Sequence, residues 1–302
     1  MAAAVAALAM TASCGAGTSE TGTSAAGSPP ATPTAEASAG PVTAEINQLR
    51  DNYSQQIIAI QLTNTTSGPV TVHGASVASP LFAGTIEWPG TPGRIVLPPG
   101  LTKILPAQLP AAECGLQTGP VAEGPALALR LAVGPGPESA ATLRATDPYG
   151  VLSRNNAEMC LAQAAAAVAG IRLEPELEVS ADGQSAVMRL TIVPRSTPGA
   201  VNPGSTGSLT INRIDRTTLL EEDPSAPWPR SDSVNAGDAS QQLRLGIRPA
   251  RCAPHALADD KVGTLLPLRV SAGGREGILK VDAGAPLRGR IHEFITAACG
   301  RQ

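Results

Sequence analysis

Four of the five cysteines stand in two pairs, Cys114 with Cys160 and Cys252 with Cys299, 46 (160 − 114) and 47 (299 − 252) positions apart. Thiols so placed offer two chemistries: oxidation to disulfides, or deprotonation and capture of zinc. The zinc case rests on Cys252-Ala253-Pro254-His255, a C-x-x-H spacing that His292 and Cys299 would complete as a two-Cys, two-His set. Cys114 and Cys160 have no histidine in corresponding places, so the paired cysteines serve a purpose that needs none, and disulfides are the expectation. Four cysteines allow three pairings. Closing a loop of this size removes unfolded-state entropy amounting to about 4 kcal/mol.

Other reactive side chains are sparse. No G-x-S-x-G, S-x-x-K, H-E-x-x-H or P-loop pattern occurs, and Gly134-Pro135-Gly136 lacks the third glycine of a dinucleotide fingerprint. The three histidines, His73, His255 and His292, read as surface or packing residues. Glu221-Glu222-Asp223 and Asp259-Asp260 lack the alternating oxygen spacing of a calcium loop and read as solvated charge. No cofactor or metal is therefore expected.

The elements that hold the cysteines repeat. Trp88-Pro89 precedes Cys114 and Trp228-Pro229 precedes Cys252, and an alternating apolar run follows each cysteine: Leu127, Leu129, Leu131 and Val133 in one copy, Leu266, Leu268 and Val270 in the other. The two cysteine pairs are displaced by 138 (252 − 114) and 139 (299 − 160). This duplication favours closure within each copy, Cys114 to Cys160 and Cys252 to Cys299. It also gives Trp88 and Trp228 equivalent places, suited to core packing rather than to sugar platforms.

Period-two alternation dominates both copies, as in Ile58, Ile60 and Leu62, in Met188, Leu190 and Ile192, and in Leu243, Leu245 and Ile247. With 31 Gly and 28 Pro residues marking turns, long helices are not expected. Short helical pieces are expected near Asn155 to Gln163 and Ile291 to Ala298, with Ala164 to Gly170 as the junction between copies. The fold expected is all-β: two tandem β-sandwiches, loosely immunoglobulin-like, over 41–163 and 164–302.

Residues Met1 to Met10 are all apolar, and Thr11-Ala12-Ser13-Cys14 follows. The run suits a signal-peptide core over 1–13 and is short of the ~20 residues that span a bilayer. This segment resembles the signal of a bacterial lipoprotein. The resemblance implies that Cys14 receives a diacylglyceryl group and becomes the first residue of the mature chain, anchored to the outer face of the cell membrane. The first basic residue is Arg50, so the basic start of such a signal is expected upstream of Met1. Residues 14–40 would form the lipidated cysteine and a tether, since Gly15 to Gly40 is almost wholly Gly, Ala, Ser, Thr and Pro. As a flexible coil those 26 residues reach roughly 28 Å. An anchor with such a tether is similar to lipoproteins of high-GC Gram-positive bacteria.

Charge separates the copies: residues 41–163 carry 6 basic and 8 acidic side chains, residues 164–302 carry 16 and 15. Arg244, Arg248 and Arg251, with Arg288 and Arg290, could form a face toward an anionic envelope component. A net charge of −3 and six aromatic residues disfavour nucleic acid. The expected role is a non-catalytic envelope lipoprotein that binds or scaffolds a protein or polymer. The alternatives are an accessory subunit of a membrane complex or transporter, and a secreted enzyme with an unfamiliar polar site.

Overall fold

A computed structural model describes residues 40–88, 93–115, 124–195, 207–253 and 260–300. Cys14, the signal segment and the tether proposed to follow it up to residue 39 lie outside the described residues, as do His255 and Asp259. From Ala39 onward the chain forms one compact unit.

Two β-sandwiches follow one another. In the first module, β1 (Val42–Asn47), β2 (Ile57–Asn64) and β6 (Thr102–Gln108) make an antiparallel sheet in the order β1-β2-β6. The facing sheet runs β4-β3-β7-β8, from β4 (Ile86–Trp88), β3 (Val70–Ala78), β7 (Ala126–Val133) and β8 (Ser139–Arg144), with β5 (Ile95–Leu97) also on β3. The second module repeats this plan. Its β9 (Ala169–Val179), β10 (Ala186–Pro194), β14 (Gln241–Pro249) and β12 (Leu220–Glu222) lie in the order β12-β14-β10-β9. Opposite them β13 (Asp232–Asn235), β11 (Ser208–Ile214), β15 (Leu265–Ala272) and β16 (Arg275–Asp282) run β13-β11-β15-β16. Strands β1, β2, β3, β6, β7 and β8 thus answer to β9, β10, β11, β14, β15 and β16 in order and in pairing.

The alternation in the sequence becomes the two cores. Ile58, Ile60 and Leu62 of β2 meet Val70, Val72 and Val77 of β3 across the first sandwich, all fully buried. Met188, Leu190 and Ile192 of β10 meet Leu209 and Ile211 of β11 across the second. Each strand thereby sends apolar side chains to one face and leaves polar ones outside.

The helices are longer than the sequence suggested. Helix α1 covers Val151–Val168 and α2 covers Gly284–Cys299. The junction expected at Ala164 to Gly170 contains the passage from α1, which continues to Val168, to β9, which begins at Ala169, and residues 163 and 164 lie within the helix. Helix α1 begins where the Asp147 carboxylate accepts from the amides of Val151 (2.6 Å) and Leu152 (3.0 Å). Its first turns bury Val151 and Leu152 in the first core, and its last turns bury Leu161, Ala165 and Val168 in the second. A segment weakly amphipathic by itself is helical because both sides are packed.

Candidate functional site

Disulfides join Cys114 to Cys160 and Cys252 to Cys299, with Cα separations of 5.4 and 5.2 Å. In each module the bond ties the segment after β6 or β14 to the helix that closes the sandwich. Disulfides of this kind mark a protein that matures outside the reducing cytoplasm. The Cys252 and Cys299 sulfurs bind each other, which leaves neither as a thiolate for the zinc set. Among the described residues no helix is long and apolar enough to cross a membrane, and no group of three or more His, Cys, Asp or Glu side chains could hold a metal ion.

Trp228 and Trp88 are not equivalent. Trp228 is buried in the loop between β12 and β13, its Nε1–H donating to the Gly246 carbonyl at 2.7 Å. Trp88 ends β4 opposite Ala75, half-buried against the first core.

The arginines of the expected basic face are distributed over β14, the segment after it, and α2. Arg244 reaches Glu178 at 3.0 Å, Arg248 reaches Glu221 at 2.8 Å, and Arg288 reaches Asp282 at 3.0 Å. Arg290 donates to the Pro175 carbonyl. Arg251 is exposed and has no acidic partner among the described residues. Most of this charge is spent locally.

The acidic run at β12 is spent likewise. Burial opposes the charge on Glu222, but the guanidinium of Arg230 (2.6 Å) and the amide of Trp228 (2.8 Å) outweigh it and hold the carboxyl below its ordinary range. Asp223 is lowered chiefly by the Ser225 hydroxyl and amide.

Between the modules, Lys280 of β16 pairs with Glu158 of α1 at 2.7 Å. Tyr53 stacks under both Lys280 (5.2 Å) and Arg154 (5.9 Å). The space beside this cluster is about 130 Å³, lined also by Met159 and Leu279, which is small for an organic ligand.

The outward faces of the sheets built on β3 and β11 carry a feature that the sequence did not disclose. In β3 a register shift lies between Val72 and Gly74, and in β11 one lies between Ile211 and Arg213. The rung after it pairs Gly74 with Arg130 in the first module and Arg213 with Arg269 in the second. Both residues are displaced by 139 (213 − 74 and 269 − 130), the offset of the later cysteines, so the duplication itself was the signal.

In the first module Arg130 donates to Glu138 (3.0 Å) and to the His73 carbonyl (3.1 Å), while His73 Nδ1 lies 3.5 Å from Glu138. Its guanidinium crosses Gly74 so closely that a Cβ there would lie 3.1 Å from Nη2. The result is an open cleft of about 350 Å³ over Gly74, Ser76, Ala128 and Thr142. In the second module the same rung holds two guanidinium groups, bridged by Asp215 at 2.8 Å from Arg213 Nε and 2.7 Å from Arg269 Nε.

No family model matches the chain, and no curated protein matches it. Among solved structures it is similar to the CsuC–CsuE chaperone–tip adhesion subunit complex of Acinetobacter baumannii, with 11% identity over 75% of this chain and 91% of that one, at a TM-score of 0.17. It is similar also to the calcium-binding domain CBD12 of CALX1.1, with 10% identity over 73% and 75% and a TM-score of 0.20. A partial N-terminal region of enterococcal surface protein shows 9% identity over 80% and 94% at a TM-score of 0.16. Values of this size say nothing of ligand or partner.

Proposed function

We propose that the protein is a non-catalytic, lipid-anchored module of the cell envelope that binds or scaffolds another envelope component. The observation that carries this reading is the pair of disulfide-closed sandwiches fused through α1, each presenting an elaborated outer sheet face. The side chains that would serve an enzyme are otherwise engaged: Glu222 and Asp223 hold the Trp228 loop, and His73 packs beside Glu138 and Arg130 on a strand. A secreted enzyme would need a cluster of carboxylates or histidines close together in a protected pocket. Anchoring at Cys14 would hold the sandwiches near the membrane and raise their effective concentration toward anything fixed there.

Proximity crosslinking in the native envelope tests the reading. A reproducible envelope protein or polymer should be recovered, and only from anchored protein. Recovery of nothing above an unrelated lipoprotein control would defeat it. Intact-mass measurement of the mature amino terminus tests the anchor, and any first residue other than a lipid-modified Cys14 would remove that part.

A further inference from the structure

We infer that the Arg213–Arg269 fork on the outer face of β11 and β15 is a binding site for the phosphate groups of an anionic envelope polymer. This rests on the binding-module reading and names the chemistry that one module would recognise.

Two arginines directly opposite on antiparallel strands repel, and a strand pair gains nothing by keeping them. Here Asp215, just beyond the end of β11, accepts from Arg269 Nε–H at 2.7 Å and pairs with Arg213 Nε at 2.8 Å. The carboxylate thus meets each guanidinium at Nε, which carries one of its five N–H donors. Two cations over one carboxylate leave the cluster with a net charge of +1. Arg216, the next residue in the chain, is exposed and without an acidic partner among the described residues.

Glu276, opposite Ser271, lies one same-face step from Arg269, roughly 7 Å along the strand, and accepts from the Ser271 hydroxyl. Asp232 is opposite the buried Ile211, on the other face of the sheet from Arg213, and accepts from Gln241.

The comparable cluster in the opposite sheet differs. Arg189 and Arg244 also face each other and share Glu178, which leaves the same single surplus charge, but the ion pairs of Arg172 with Glu174 and of Arg248 with Glu221 stand beside them. The corresponding rung of the first module has Gly74 in place of the second arginine and Glu138 against Arg130, so surplus charge is a property of the second module alone.

A planar carboxylate already sits on the Nε side of the fork. The remaining donors suit a group with several acceptor oxygens, and guanidinium binds phosphate through paired bonds that an ammonium cannot copy. Polymer is favoured over a bilayer surface because none of the large exposed apolar side chains, such as Leu101, Ile104 and Tyr149, belongs to β11 or β15. A surface meant to enter headgroups would carry some.

The test is calorimetric titration of the purified, oxidised protein with poly(glycerol phosphate) at low ionic strength, and in parallel with phosphatidylglycerol and phosphatidylcholine vesicles. The Arg213→Gln/Arg269→Gln variant should bind the polymer about tenfold or more weakly. Arg189→Gln/Arg244→Gln, which removes equal charge elsewhere, should stay within about twofold, as expected for a screened remote effect. Arg213→Lys/Arg269→Lys keeps charge and fold and should still lose most of the binding.

Absence of polymer binding by the unaltered protein overturns the inference. So does equal loss in the two glutamine variants, full binding by the lysine variant, or binding to phosphatidylglycerol vesicles alone. If envelope crosslinks persist in such a case, only the fork has failed; if they too are absent, the binding-module reading has failed.

Discussion

Deleting the two disulfides one at a time should have unequal consequences, although their loops are nearly equal. With sequence separations of 46 and 47 residues, each closure constrains the unfolded chain by about 4 kcal/mol, so chain entropy predicts the same loss for Cys114→Ala/Cys160→Ala as for Cys252→Ala/Cys299→Ala. The difference lies in what each bond holds. Cys160 is in the middle of α1, one residue before Leu161, whose side chain is buried in the other module's core together with Val168. Burying a leucine and a valine contributes roughly 1.5 to 3 kcal/mol each, so loosening α1 removes up to about 3 to 6 kcal/mol from the second sandwich as well. Cys299 closes α2, which packs on β9 and β14 of its own module. The assay is guanidinium unfolding followed through Trp228 in a Trp88→Phe background, and through Trp88 in a Trp228→Phe background. Removing the first bond should lower both midpoints; removing the second should lower that of Trp228 and leave that of Trp88 nearly in place. A Trp228 midpoint unmoved by loss of Cys114 and Cys160 would refute the account of α1 as a shared element.

Gly246→Ala should destabilise by about 1 to 3 kcal/mol, because its Cβ would stand 2.7 Å from the Ala226 carbonyl oxygen and 2.9 Å from that of Asp223. Gly68→Ala, with nothing within 4 Å, is the matched control and should change the denaturation midpoint little. Trp228→Phe removes the bond to the Gly246 carbonyl, which still accepts from Asp223 N–H, so circular dichroism should report a loss near 1 kcal/mol from that bond. The lowered carboxyls of Glu222 and Asp223 stabilise the fold at pH values above their ordinary 4.5 and 3.8. That contribution is lost as the pH falls below those values through the lower folded ones. Trp228 emission should therefore shift on acidification below about 4.5, and a Glu222→Gln variant that shifts identically would remove Glu222 from the explanation.

What was legible in the sequence was whatever depends on spacing along one strand or between copies. Alternation at Ile58, Ile60 and Leu62 becomes core because a pleated strand turns every second side chain the same way. What escaped was set by neighbours distant in sequence. The alanines from Ala164 onward carry no amphipathic signal, and they are helical because Leu161, Ala165 and Val168 seat in a sheet that begins only afterwards. The two Trp-Pro pairs looked equivalent, yet the indole of Trp228 is drawn inward by the carbonyl of Gly246 while Trp88 stays at the end of a strand absent from the second copy. The site residues escaped for a related reason. A register shift breaks the alternation just where Gly74 and Arg213 sit, so periodicity gives no direction for either side chain.

The two modules kept their disulfides, strand order and register shifts, and diverged on the rung that follows. That pattern separates what the fold requires from what it tolerates. The cysteines close each sandwich and the shift re-aims the strand, so neither is free to change without cost to stability. Gly74 and Arg213 stand at the same place on the outer face, Gly74 beneath the Arg130 guanidinium and Arg213 exposed, and neither belongs to a core. A glycine there opens a cleft beneath Arg130, whereas an arginine there doubles the cationic charge and needs Asp215 to hold it. Two different chemistries on one duplicated frame are what separate recognition by each module would produce, with α1 packed into the cores of both.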